Sequence, residues 1–273
     1  MPPPLADALR RRSGADTALA VPCDAGRVAC ALFLDVDGTL LDLAPTPDAV
    51  IVPQALRDTL GILQARLDGA LAVISGRNLE TLDRLFRPLE LPAGAQHGLE
   101  WRDASGAVRN FAEGEIPDDI RAAFAAFAAR HPGALVEDKG LGLALHVRNA
   151  PEAEPAAWAL GARLAARHGD AVRMIAGKRV VEFQLKGGDK GRVIERFMAT
   201  PPFARRMPLF VGDDETDEAG FAAVNRLGGI TIRVGAGAAT AAQFEIDSPE
   251  AFRLWLGTAA ELLSAGDCGR CVP

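Results

Sequence analysis

The sequence predicts an α/β protein, a doubly wound parallel sheet interrupted by an inserted α+β segment. Two observations carry this expectation. Apolar runs of strand length recur without alternation, separated by stretches with apolar residues at helical spacing; uniformly apolar strands alternating with helices mark a parallel sheet covered on both faces. In the middle of the chain the strand-length runs instead alternate and carry charges, as strands do when one sheet face stays open. A chain of 273 residues has room for one or two domains, at about 150 residues each.

Taken in order, residues 1–27 read as a lead-in helix, with an Arg cluster followed by Ala-rich sequence. No apolar run of the ~7–15 residues that a signal peptide needs is visible there. Val28–Leu34 is the first core strand and Pro53–Leu67 the first helix, with Leu56, Leu60, Leu63 and Leu67 at helical spacing and Pro53 suited to a first turn. Ala70–Ile74 is the second strand and Asn78–Leu85 the second helix. The inserted segment is expected over 111–186, with helices at Pro117–Arg130 and Glu152–His168 and alternating strands at Gly142–Val147 and Val180–Leu185. The core resumes at 187–266 with the helix Lys190–Met198, the strand Pro208–Val211, the helix Asp217–Leu227, the strand Ile230–Val234 and the helix Pro249–Leu263. The catalytic core is therefore 28–110 plus 187–266, and 267–273 form a tail.

Composition excludes several functions. Acids outnumber bases 36 to 30, a net charge of −6, which disfavours broad contact with nucleic acid or anionic membranes. Aromatic residues make up 5% with no Tyr, too few for base-stacking platforms. No apolar run approaches the ~18 residues of a membrane span. The four Cys are no disulfide framework in a chain of this length; Cys268-Gly-Arg-Cys271 reads as a tail with reduced thiols. Gly235-Ala-Gly237 lacks the full dinucleotide fingerprint and reads as a turn. The expectation is a cytoplasmic monomer acting on a small molecule.

The chemistry lies where the core strands end. The first runs into Asp35-Val-Asp37-Gly38-Thr39, the second into Ser75-Gly76-Arg77, and the third into Gly212-Asp213-Asp214-Glu215-Thr216-Asp217. Polar residues at the carboxyl ends of parallel strands share one crevice, where open α/β sheets bind ligands. Carboxylates crowded there repel one another unless a cation sits among them, and oxygen ligands suit Mg²⁺. Lys190, at a helix start after two glycines, supplies a point cation for an anion. Because residues two apart in a strand face the same way, one of Asp35 and Asp37 can attack while the other reaches the leaving oxygen. Gly38 lets the backbone turn, and Thr39 offers a hydroxyl and an N–H to phosphate oxygens. Ile74-Ser75-Gly76 lacks the GxSxG elbow of a serine hydrolase.

In that order, DVDGT, Ser75, Lys190 and GDDETD resemble the four motifs of the haloacid dehalogenase-like phosphohydrolases. Further stretches resemble the trehalose-6-phosphate phosphatase family: Phe33–Leu40, His97–Asp103, Glu137-Asp-Lys139 leading to Leu145–Arg148, Lys178–Glu182, Gly187–Gly191 and Gly212–Gly229. Leu185 and Asp189 stand where that family often has Pro and Ser or Asn. The resemblance implies a Rossmann-like core with an inserted cap and hydrolysis of trehalose 6-phosphate. In it Asp35 attacks phosphorus to form an aspartyl-phosphate and Asp37 serves as acid, then base. It further implies Mg²⁺ held by Asp35, the backbone carbonyl of Asp37 and Asp213, with Asp214 and Asp217 ordering its waters or Lys190. Ser75 and Lys190 would grip the phosphoryl oxygens, and Lys139, His146, Arg148 and Glu182 the sugar hydroxyls. Another sugar phosphate, such as sucrose phosphate, is the alternative substrate; a non-catalytic phosphosugar sensor has no need of an acid two residues after a nucleophile.

Overall fold

The computed structural model describes residues 10–11, 23–24, 27–28, 30–43, 50–111, 114–177, 179–236 and 239–265. Three short strands come first: β1 (Arg10–Arg11), β2 (Cys23–Asp24) and β3 (Arg27–Val28). The expected lead-in helix is thus corrected where its stretch is described, because these residues are extended and pair as strands. The core then runs β4 (Cys30–Leu34), α1 (Gln54–Arg66), β5 (Leu71–Ile74), α2 (Leu79–Phe86), β6 (Ala93–Ala95), β7 (Glu100–Arg102) and β8 (Val108–Asn110). A second stretch carries α3 (Asp118–Arg130), β9 (Leu135–Asp138), β10 (Gly142–His146), α4 (Glu154–His168), β11 (Val172–Gly177) and β12 (Val180–Leu185). The chain closes with α5 (Lys190–Met198), β13 (Met207–Gly212), α6 (Glu218–Arg226), β14 (Ile230–Val234), β15 (Phe244–Ile246) and α7 (Pro249–Ser264). The CxxC tail, Lys178 and Gly237 lie outside the described residues.

The described chain divides into two compact units. The first holds a nine-stranded sheet in the order β1-β15-β14-β13-β4-β5-β6-β7-β8. Its centre, β15 to β6, is parallel, and antiparallel β1 and β7 flank it. The runs CALFL and LAVI of β4 and β5 are buried throughout, as parallel strands covered on both faces require. Helix α1 packs on α7 and α5 on α6. Each of three helices is started by a side chain that accepts an otherwise orphaned N–H: Asn78 from Thr81, Asp189 from Arg192 and Ser248 from Ala251. Phe33, Phe197 and Phe203 cluster beneath the sheet with ring centroids 4.7–5.8 Å apart, and Trp101 meets Phe197 edge-on. Aromatic rings favour such offset and edge contacts.

The second unit, Asn110–Gly188 in its longer part, is an antiparallel sheet in the order β11-β12-β10-β9. Helices α3 and α4 cover one face, where Phe124 packs on Phe183 and Gly161 lets α4 approach Val181 and Met174. By strand register the opposite face carries Glu137, Ala144, His146, Glu182 and Gln184. The alternating sequence reads as a face left open to water; instead Glu182 and Gln184 are 5% and 0% exposed. Their burial is tolerated because Lys139 and Arg173 supply hydrogen bonds to them.

Candidate active site

The acidic loops are placed by neighbouring parallel strands. Asp35 leaves β4 with its N–H on the carbonyl of Val211 at 2.9 Å, and Ser75 leaves β5 with its N–H on Gly94 at 2.8 Å. After Asp35 the chain folds tightly, Leu41 donating to the carbonyl of Val36 at 2.9 Å and Gly38 to that of Leu41 at 2.7 Å. Gly38 sits at φ +90°, and a Cβ there would meet the carboxylate of Asp213. Only glycine satisfies both demands. Gly212 serves the third loop likewise: a Cβ on it would meet the side chain of Asp217.

Lys190, at the first turn of α5, is the electrostatic centre. Its Nζ donates to Asp35 Oδ1 at 2.8 Å and to Asp217 Oδ1 at 2.7 Å, and all three residues are buried. Burial alone would discharge the ammonium; the carboxylates of Asp217 and Asp35 outweigh it and hold Lys190 well above its ordinary value. Burial, joined by the charge of Asp217, pushes the Asp35 carboxyl well up, with Lys190 opposing. Burial also raises Asp217, again against Lys190. Asp217 is nonetheless fully engaged, since its Oδ2 accepts the N–H groups of Asp213 at 2.9 Å and Asp214 at 3.1 Å. It holds the lysine and the loop together. Asp214 is a structural cap whose Oδ1 accepts the Thr216 N–H and hydroxyl at 2.8 and 2.7 Å. Against burial, Lys190 and those hydrogen bonds keep it below the usual carboxylate range.

The remaining core residues fall around this centre. The Thr39 hydroxyl, buried, donates to Asp213 Oδ1 at 3.4 Å. Buried Ser75 accepts the Arg77 N–H on its Oγ at 3.1 Å. Asp37 turns its carboxylate to Arg77, 2.6 Å from both Nε and Nη2. Sequence reasoning leaves Arg77 out of the functional set; its signal is the tripeptide Ser75-Gly76-Arg77 at the end of β5. His97 likewise stands outside that set, and its ring occupies the space a side chain on Gly76 would need.

Asp35, Asp213 and Asp217 each offer a carboxylate oxygen within 4.8 Å of the others. Hard oxygen donors clustered so closely fit a hard metal cation, and the upward push on Asp35 is the strain a divalent cation would relieve. Because both oxygens of Asp217 are taken, Asp35 and Asp213 are the side chains that fit a metal best.

In the second unit the expected sugar-binding residues gather on or beside the polar sheet face. Lys139 Nζ meets Glu182 Oε2 at 2.9 Å, and His146 Nε2 meets Glu137 Oε2 at 2.8 Å. Burial works against Glu137, but the hydrogen bond from His146 and the charge of Lys139 bring its carboxyl below the ordinary range. Arg148, half-buried two residues beyond His146, follows β10. Glu137 is a site neighbour that the candidate set omits, although it lies in the Glu137-Asp-Lys139 stretch.

A buried carboxylate paired with an ammonium at a strand end is equipped for phosphoryl transfer, and with this sheet it places the chain among the haloacid dehalogenase-like phosphohydrolases. Comparison with known proteins narrows the class. The profile described as trehalose-phosphatase matches residues 33–250, and the chain belongs to the trehalose-phosphatase family. A Sinorhizobium fredii protein described as a "probable trehalose-phosphate phosphatase" is 44% identical over 82% of this chain and 84% of its own. The trehalose-6-phosphate phosphatase of Escherichia coli is 42% identical over 77% of this chain and 79% of its own. The C-terminal domain of the Candida albicans trehalose-6-phosphate phosphatase shares the fold, with a TM-score of 0.77 at 24% identity over 85% of this chain and 93% of that one.

Proposed function

We propose that the protein hydrolyses trehalose 6-phosphate to trehalose and phosphate, the closing step of trehalose biosynthesis, with Asp35 as nucleophile. The observation that carries this reading is Lys190 bridging Asp35 and Asp217 at the strand ends, in a chain of the trehalose-phosphatase family. An Asp35 oxygen attacks phosphorus, and the bond from phosphorus to the sugar oxygen breaks with its electron pair going to that oxygen. Asp37 gives the oxygen a proton. A water then attacks the aspartyl-phosphate, Asp37 takes its proton, and the bond to Asp35 breaks to release phosphate. Lys190 balances the phosphoryl charge, with Ser75 and Thr39 as further phosphate donors. Mg²⁺, held by Asp35 and Asp213 with the Asp37 carbonyl, would supply charge neutralisation at the phosphoryl oxygens; Asp214 and Asp217 order the loop around it. Lys139, His146, Arg148 and Glu182 recognise the sugar hydroxyls, a polyol being well matched by charged hydrogen-bonding groups.

We further infer a cytoplasmic monomer without nucleic-acid or membrane partners. The net charge of −6 supports this, and no described helix is long and apolar enough to cross a membrane. The test is phosphate release across sugar phosphates, with Mg²⁺ and after chelation. Trehalose 6-phosphate is expected to be the best substrate, with activity lost on chelation. Asp35→Asn is expected to lower turnover at least about a thousandfold while keeping the far-UV circular dichroism and melting temperature of a folded protein. Retained turnover removes the nucleophile, and a higher kcat/KM for sucrose phosphate changes the substrate.

A further inference from the structure

Arg77 has no part in the scheme above, yet its contact with Asp37 is among the tightest near the site. Both oxygens of Asp37 accept from the one guanidinium, Oδ2 from Nε and Oδ1 from Nη2, each at 2.6 Å. A planar fork against a planar carboxylate fixes position and plane together, as a point charge does not. Asp37 needs such a hold: its side chain is 30% exposed against 10% for Arg77, and it lies in a turn rather than in the sheet.

Arg77 is itself anchored on both sides of its α-carbon. Its N–H donates to Ser75 Oγ at 3.1 Å, and its carbonyl accepts from Gln96 at 2.8 Å. His97 donates to the carbonyl of Ser75 at 2.8 Å. Gln96 and His97 hold φ of 48° and 54°, left-handed conformations that cost non-glycine residues of order 1 kcal/mol each. The turn they form lies where both N–H groups meet the Ser75-Gly76-Arg77 loop. The strained turn therefore fixes the base of Arg77, and the guanidinium transmits that rigidity to Asp37.

We propose that Arg77 is the positioning residue for Asp37, holding its carboxylate at the site through both oxygens and giving up one of the two contacts when that oxygen carries the proton for the leaving group. The proposal rests on the reading of Asp37 as acid and base. A sugar alkoxide needs a proton to depart, whereas the phenolate of p-nitrophenyl phosphate does not, so loss of correct positioning discriminates between the two substrates. Arg77→Ala is expected to lower kcat for trehalose 6-phosphate about ten- to a hundredfold, within the range general acids contribute, and to lower kcat for p-nitrophenyl phosphate by a clearly smaller factor. Arg77→Lys keeps the charge but not the fork, and is expected to show the same discrimination. In an Asp37→Ala background, Arg77→Ala is expected to add little, as members of one unit are non-additive.

Melting curves identify any variant that fails to fold, and Arg77→Lys then carries the test. Equal losses on both substrates, full activity in Arg77→Lys, or additive losses in the double variant overturn the positioning role. Asp37→Ala alone separates this failure from that of the underlying scheme: if it does not discriminate between the substrates, the acid assignment falls first and the proposal with it.

Discussion

At the scale of single residues, one strand shows how burial acts on two ionisable groups. Cys30 opens β4 and Asp35 follows its end. Burial pushes the Cys30 thiol from 9.0 up to about 12, with Arg206 pulling slightly the other way. Arg206 offsets too little of the burial to ionise the sulfur, so the group stays neutral. In the unfolded chain the same thiol ionises near 9.0. Its contribution to stability is therefore complete below pH 9 and is lost as pH rises toward about 12, because the unfolded state releases the proton first. Between those values stability is expected to fall by about 1.4 kcal/mol per pH unit from this group. Urea titrations of the protein and of Cys30→Ala across pH 8 to 11 measure it; the variant is expected to have the shallower decline, and equal slopes exclude the effect. Asp35 differs because Lys190 stands against it at 2.8 Å and opposes the upward push of burial, as the proposed nucleophile requires.

At the scale of elements, loops rather than strands carry the most exacting demands. Gly38→Ala places a methyl against Asp213 in a backbone at φ +90°, whereas Gly106, at φ +86°, has nothing within 4 Å of such a methyl. Both substitutions carry the backbone penalty, of order 1 kcal/mol, but only the first displaces a side chain of the acidic cluster. Gly38→Ala is expected to lose at least about tenfold in turnover and to melt below Gly106→Ala, which retains its activity. Equal melting temperatures and activities would show that Asp213 gives way freely. The same contrast explains what is legible in the sequence. The strands β4, β5 and β13 announce themselves because nearly every residue is apolar and buried. The three-residue strand β6, Ala-Gly-Ala, has no such signal; Gly94 is small because Val193 and Ile74 press on it, a packing demand from elsewhere in the chain. Strands β9, β11 and β15 likewise owe their pairing to tertiary neighbours. Asp35 is readable because it follows a strand end, and Lys190 and Asp217 because each stands at a helix start. The pairing of Arg77 with Asp37, 40 residues apart, is unreadable because it depends on left-handed Gln96 and His97, residues with no glycine to flag them.

At the scale of the whole molecule, the acid excess acquires a location. Part of the −6 charge is the cluster of Asp35, Asp213, Asp214 and Asp217, which one buried lysine only partly offsets. The proposed function lets an acidic protein receive a phosphate ester, since Asp35, Asp213 and Asp217 could hold a cation between them. Under the proposed function the work divides with the units, phosphoryl chemistry being assigned to residues of the first and sugar recognition to residues of the second. Arg148→Ala is accordingly expected to raise KM for trehalose 6-phosphate by about tenfold, the worth of one or two hydrogen bonds, and to change KM for p-nitrophenyl phosphate far less. Matched changes would take Arg148 out of sugar recognition. The second unit's long stretch, Asn110–Gly188, leaves the core chain once and returns once, which makes it a cassette. Its exit joint is demanding: Asp189 caps the helix that bears Lys190, and its carbonyl fills the space beside Gly98. A chimera that exchanges this cassette for another substrate-recognition unit therefore inherits the phosphate lysine intact only if the graft ends before Asp189. If the proposed roles hold, specificity and catalysis are exchangeable separately in such a chimera, with Asp189 as the border on the C-terminal side.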